Sequence, residues 1–394
     1  MHGRRAHIRG RGPWAAAWMT LLATVSPALA ADVWTPTLSV ALEERYDDDV
    51  LLRASPGAAS GQFMTKLSPE AGIEGRARTW SLDLDYAPDL FVRHGSGRTS
   101  IDHRFSLDAA QRVGPRVSLR SEARVWYVSD PTSLPRMGMA RSLVPVLYGV
   151  GNLSAGWSAS RRWLLRAEYR FEGARIEEPG RTPGLMHQPS LEARYRLTPR
   201  TDLGVNYRAQ SFHFEGRQAR SHGPAAVFRH RFSRLITGTA VGGASYYLPD
   251  DGGPGGWSPR LTLALDGTSE RWIWGLAAGH DLVGASGFST ALWADFVAAS
   301  VGWNLTRHLQ LRGVGNLFRN GPAPAEGIFS LAGEEGGVVS QGYGVGLTAD
   351  WKVAERWALQ LQVTRIGQVG TVGTAAPELT RNIAAVRAVF TPWD

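Results

Sequence analysis

Charged side chains recur at every second position in several stretches of this 394-residue chain. Arg120, Glu122 and Arg124 form one such run, Arg166, Glu168 and Arg170 a second, and Glu192, Arg194 and Arg196 a third; Asp83 and Asp85 are spaced the same way. Residues two apart in an extended strand share a face, so each run sets guanidinium and carboxylate groups in a row. A guanidinium stays charged when partly desolvated and grips carboxylate or phosphate with two parallel hydrogen bonds. Rows of this kind lining a water-filled passage would concentrate anionic solutes. The same groups can instead pair with acids on neighbouring strands and satisfy only the wall. Arg104, Arg208, Arg312 and Arg387 fall in the same phase of their own stretches and complete the candidate pore-lining set.

Other chemistry finds little support. The chain has no G-x-S-x-G elbow, phosphate-binding loop with lysine, H-E-x-x-H pair or G-x-G-x-x-G turn. Gly252-Gly253-Pro254-Gly255-Gly256 has no lysine and no helical continuation and reads as a loop tip. Asp47-Asp48-Asp49 cannot converge three carboxylates on one ion from a single extended segment, and reads as solvated charge. With no cysteine there is neither a disulfide framework nor a thiolate metal site. No metal or cofactor is expected. The histidines are scattered, and a lipid hydrolase built on an exposed Ser–His pair is retained only as an alternative.

The elements that must position the charges are strands. In Leu191-Glu192-Ala193-Arg194-Tyr195-Arg196-Leu197 the odd positions are apolar and the even ones charged, and Trp163 to Phe171 repeats the pattern. Alternation also marks Trp80/Leu82/Leu84/Tyr86, Leu261/Leu263/Leu265 and Trp357/Leu359/Leu361/Val363. Eight compact polar turns punctuate it, at 76–78, 113–115, 160–162, 198–200, 233–234, 268–271, 306–308 and 353–356. Longer Gly-, Pro- and Asp-rich stretches lie between them, at 47–61, 129–141, 173–186, 249–256 and 320–337, the last with room for a helix. Nine hairpins follow, and so an all-β fold: a transmembrane antiparallel β-barrel of about 18 strands in a bacterial outer membrane, both termini periplasmic. Trp80, Trp163, Trp351 and Trp357 flank the short turns, where an interfacial aromatic girdle belongs. In Trp272–Leu276 and Leu292–Val297 both faces are apolar, as though those strands pack against something inside the barrel. The last strand, Asn382–Phe390, ends on an aromatic residue followed by four more residues.

Residues 1–30 carry Arg4, Arg5, Arg9 and Arg11 ahead of an apolar run ending Ala28-Leu29-Ala30, which reads as a cleaved signal peptide. Its removal leaves residues 31–394 as one barrel domain and lowers the formal charge from +8 to +4. No later stretch has the roughly 18 consecutive apolar residues a spanning helix needs. The arginines interleave with aliphatic residues at period two and do not cluster on one exposed face, so nucleic acid is not an expected partner.

The opening strand Pro36–Val50, with its run Glu44-Arg45-Tyr46-Asp47-Asp48, resembles the outer-membrane barrels found beside exopolysaccharide synthesis genes, in particular the Wzp-type barrels of myxobacteria. That resemblance implies a channel that exports a polysaccharide substrate together with a periplasmic polysaccharide export protein, embedded in outer-membrane lipid. It carries no catalytic residues. A general or anion-selective porin for small solutes is the alternative that the residues alone allow.

Overall fold

The computed structural model describes residues 33–48, 61–129, 145–177, 183–214, 217–249, 255–284, 291–322, 340–370 and 378–392. The segment read as a signal peptide and most of the longer connections lie outside them, as does the helix considered for 320–337. Among the described residues every regular element is a strand. The eighteen strands are β1 (Val33–Asp47), β2 (Gln62–Arg76), β3 (Trp80–Arg93), β4 (Thr99–Val113), β5 (Val117–Val128), β6 (Val146–Ser158), β7 (Trp163–Ile176), β8 (Gly184–Thr198) and β9 (Thr201–Phe214), then β10 (Arg217–Arg231), β11 (Ile236–Pro249), β12 (Gly256–Thr268), β13 (Trp272–Gly284), β14 (Ala291–Asn304), β15 (Leu309–Pro322), β16 (Ser340–Ala354), β17 (Trp357–Gly370) and β18 (Glu378–Phe390).

Each strand pairs antiparallel with its sequence neighbours, and β18 pairs with β1, so the sheet closes on itself. The seam runs from Val40 opposite Phe390 to Asp47 opposite Ile383. Closure removes every free edge. At about 3.3 Å per residue and a tilt near 40°, strands of 12 to 15 residues cross an apolar band about 25 Å tall with some overhang.

All eight short turns fall where the polar breaks place them, at one end of the barrel, together with the start of β1 and the end of β18. Hydroxyls explain why these sequences turn. Ser160, Ser233, Ser269 and Thr306 each accept a hydrogen bond from the backbone N–H three residues on, at 3.1, 3.1, 3.0 and 3.0 Å. The turn between β4 and β5 instead uses Gly114 at φ 73°, a conformation that disfavours a side chain. At the loop end, Asp47 proves to be strand, and both ends of the 173–186 stretch are strand, with β7 reaching Ile176 and β8 starting at Gly184.

Candidate functional site

Contacts between strands that are not neighbours decide which face is the interior. Arg208 of β9 makes a bidentate ion pair with Asp281 of β13, its Nη1 2.7 Å from Oδ2. Arg260 of β12 donates to Asn206 Oδ1 of β9 at 3.1 Å. Both reach across the concave side, so the face carrying Arg208 lines the lumen, and strand register carries that phase around the cylinder. By that register Asp83, Asp85, Arg104, Arg120, Glu122, Arg124, Arg166, Glu168, Arg170, Glu192, Arg194, Arg196, Arg312 and Arg387 all share the lumenal face with Arg208.

The structure brings most of these charges together in pairs. Arg120 bonds Glu122 at 2.5 Å, Arg166 Glu168 at 3.0 Å, Arg170 Glu172 at 2.7 Å and Arg194 Glu192 at 2.5 Å. Across strands, Arg104 meets Asp89 at 2.9 Å, Arg124 meets Asp108 at 3.7 Å, Arg196 meets Asp202 at 3.6 Å and Arg312 meets Asp350 at 3.2 Å. Asp83 takes Arg76 at 3.3 Å, Asp85 accepts from Ser106 at 3.2 Å, and Arg387 stands opposite Glu43 and Gln360 in register. Of the two readings the rows allow, the wall ladder is built; the guanidinium groups are held at fixed positions by their neighbours.

Four participants escaped the sequence reading although parity contains them. Asp89 continues the phase of Asp83 and Asp85 and sits buried between Lys66, at 3.4 Å, and Arg104. Asp281, Arg260 and Gln210 occupy inward positions of their strands, but nothing local shows that they meet across open space.

They meet because the loop end of β13 and β14 leaves the wall. The β12–β13 ladder stops at Leu261 opposite His280, whereas β13 and β14 stay paired to Gly284 opposite Ala291. Past this fork the hairpin tilts into the lumen. Leu282, Ala291 and Trp293, outward by parity, pack instead on the inward Met186, Phe212, Phe214, Ala219 and Tyr247 of β8–β11. Gln210 Nε2 donates to the Leu282 carbonyl at 3.2 Å and to Gln188 Oε1 at 3.1 Å. This explains the start of the doubly apolar Leu292–Val297 stretch, where Leu292 and Trp293 are both buried; Val297, at the other end, is exposed. A second lumenal cluster, Val128, Val146, Tyr148 and Ala174 with Trp126, makes the interior apolar near the loop end, where strict alternation predicts water.

At the fork His280 Nδ1 lies 2.6 Å from Asp295 Oδ1, and its Nε2 lies 3.5 Å from Ser258 Oγ, with the ring stacked 4.9 Å from Trp293. The order is that of a hydrolytic relay. Ser258 is buried, and 3.5 Å is too long for a nucleophile held by its base. The trio braces the fork.

The opposite face is apolar. Leu191, Val205, Leu263, Leu347, Leu361 and Val363 are all exposed there. Near the short turns this face carries paired aromatics: Trp34 with Trp80, Trp163 with Tyr195, Trp272 with Trp303 and Trp357 with Phe390, at ring separations of 4.9 to 5.5 Å. A second belt toward the loop end is made of Tyr–His pairs, Tyr86 with His103, Tyr169 with His187 and Tyr207 with His222, at 2.8, 2.6 and 3.1 Å. A closed cylinder of even strand number with a greasy exterior between two aromatic belts is what a bilayer requires. The chain is a membrane-spanning β-barrel of the outer-membrane type.

No protein-family model matches the barrel, and no curated protein sequence matches it. Among solved structures it is similar to OccK2 (OpdF) of Pseudomonas aeruginosa, at 11% identity and a TM-score of 0.47 over 91% of this chain and 98% of that one. OccAB4 of Acinetobacter baumannii aligns at 11% identity and a TM-score of 0.45 over 90% and 98% of the two chains. The outer membrane protein OpdK of Pseudomonas aeruginosa aligns at 11% identity and a TM-score of 0.43 over 91% and 99%.

Proposed function

We propose that the barrel is a diffusion channel through which small hydrophilic solutes cross the outer membrane, with the short-turn end and both termini on the periplasmic side. The observation that carries this reading is the Arg208–Asp281 pair, which ties the β13–β14 hairpin across the interior from β9. An 18-stranded cylinder is wide enough for an aqueous passage, and the inward hairpin narrows it. Arg208 and Gln210 lie buried under the hairpin, and solutes pass the paired rows of Arg166, Glu168, Glu192 and Arg194. Because those guanidinium groups are already matched by carboxylates, the passage favours anions only weakly. Planar-bilayer recording of the purified protein tests the proposal. Steady conductance without any partner is expected; a pore that stays shut alone would remove it.

Export of a polysaccharide is the second reading, and one observation favours it. Gly342, Gly344 and Gly346 occupy successive inward positions of β16, opposite Phe318, Asn316 and Val314, and Val314 is 57% exposed, so this stretch of the lumen wall carries no charge. A hydrated polymer would slide there, but only after the hairpin moved. The run Glu44–Asp48 lends that reading little, because Asp47 and Asp48 are engaged in barrel closure. Gene deletion separates the two: loss of surface polymer with synthesis intact supports export, and slower uptake of small solutes supports the diffusion channel.

A further inference from the structure

The membrane-facing side carries a second feature that neither reading uses. An apolar groove of about 620 Å³ runs obliquely across the outer face from β5 to β10, floored by Ala155, Ala167 and Ala193 and walled by Trp157, Leu191 and Tyr207. The small floor residues explain it. Alanines of β6, β7 and β8 stand where the flanking outward positions hold Trp, Leu and Tyr, so the surface is recessed along that line. Its volume lies within the range of about 300–1,000 Å³ typical of ligand sites.

The groove leads to a rim of histidines and one arginine. Its upper end is Tyr207 on β9 and Pro224 on β10, opposite one another in register. Tyr207 Oη lies 3.1 Å from His222 Nδ1. Above Pro224 on β10 the next outward positions toward the loop end are His222 and Arg220, at steps of about 7 Å. On β7 Tyr169 stands one outward position above Ala167 and lies 2.6 Å from His187 of β8. His187 in turn meets the ring of His213 on β9 at 5.7 Å. The outward positions of β7–β10 hold no Asp or Glu, since Glu168, Glu172, Glu192 and Asp202 all face the lumen.

We propose that this face seats an anionic lipid, with one acyl chain in the Ala155–Ala167–Ala193 groove and a headgroup phosphate on Arg220 and the histidines at its upper end. Charge decides between a lipid and a second copy of the chain. A two-fold contact between barrels through this patch would bring two Arg220 guanidinium groups into one interface with no carboxylate on either face to answer them, whereas a phosphate complements Arg220 and accepts hydrogen bonds from imidazole N–H groups. The acyl chain also satisfies the groove at the depth where it lies, below the Tyr–His belt.

Native mass spectrometry of the detergent-folded barrel with added diphosphoryl lipid A tests the assignment, with dephosphorylated lipid A and phosphatidylcholine as comparison arms. One tightly retained lipid A is expected, with weaker retention of dephosphorylated lipid A and of zwitterionic phosphatidylcholine. Arg220→Gln with His222→Gln should weaken retention about tenfold, and Ala193→Phe, which fills the groove, should do the same. Val345→Phe on the exposed opposite wall should change nothing. Should Ala193→Phe fail to fold, the rim variants still decide the matter. Equal retention by wild type and rim variants would overturn the site, as would a dimer that Ala193→Phe dissolves. Bilayer conductance does not enter these readouts, so the result stands apart from the channel's cargo.

Discussion

Arg381 and Asp47, 334 residues apart in sequence, are joined across the β18–β1 seam by a forked ion pair in which Arg381 Nε lies 3.0 Å from both carboxylate oxygens. Their exposures are 1% and 0%. Beside them Asp48 accepts from the backbone N–H and the side-chain amide of Asn382, at 2.7 and 2.5 Å. Two members of an acidic run that reads as solvated charge thus lock the cylinder shut. Removing one partner of a buried ion pair costs about 3–5 kcal/mol. Asp47→Ala is therefore expected to lower the temperature at which the folded band is lost in gel heat-modifiability. Asp47→Leu with Arg381→Met, which removes both charges of the forked pair and deprives Arg45 of its 3.5 Å contact with Asp47, should recover part of it; a double variant as weak as the single one would show that the pair is not what holds the seam.

The hairpin latch should govern conductance. Asp281→Ala leaves Arg208 without its partner and frees one tie of the β13–β14 hairpin, so single-channel conductance in planar bilayers should rise, by about twofold or more, with larger fluctuations. Asp295→Ala, which acts on the brace at the fork, should raise the fluctuations with less effect on the mean. An unchanged single-channel record for Asp281→Ala would mean that the hairpin does not obstruct the passage.

Selectivity should respond to unbalancing the rows. Glu168→Gln with Glu192→Gln deprives Arg166 and Arg194 of their acids and should move the reversal potential in a salt gradient toward anions. Arg312→Gln leaves Asp350 without its guanidinium partner and should move it toward cations. Shifts of the same sign for both would contradict the lumenal placement of these groups.

The outer surface makes its own prediction at Gly151. A Cβ there would clash with the Phe171 ring, which lies buried against Leu107 and Ala123 on the exterior. Gly151→Ala should displace that ring and cost about 1–3 kcal/mol in denaturant unfolding, and pairing it with Phe171→Leu should relieve part of the loss.

Parity and punctuation were legible along the chain. The charged residues of the candidate set share the face of Arg208, and Trp80, Trp163, Trp351 and Trp357 share the opposite one, because adjacent Cβ atoms of a strand must point to opposite sides. The eight turns were legible as compact polar breaks between alternating runs, and at four of them Ser160, Ser233, Ser269 and Thr306 take up a turn N–H. The partner of each charge was not. Asp47 and Arg381 show nothing of each other in sequence, and Asp89 carries the right phase with no sign of Lys66.

What the amino-acid order determined by itself was therefore a cylinder with a wet inside and a greasy outside, since both follow from the two-residue repeat of the extended backbone. Only the tertiary structure decided where that rule fails. The β12–β13 ladder ends at His280 while β13 and β14 continue together, and that difference in ladder length sends Leu282 and Trp293 inward against Phe212 and Tyr247. A side chain's face is a local property of one strand, whereas the end of a ladder depends on two strands and the space into which the longer pair can bend.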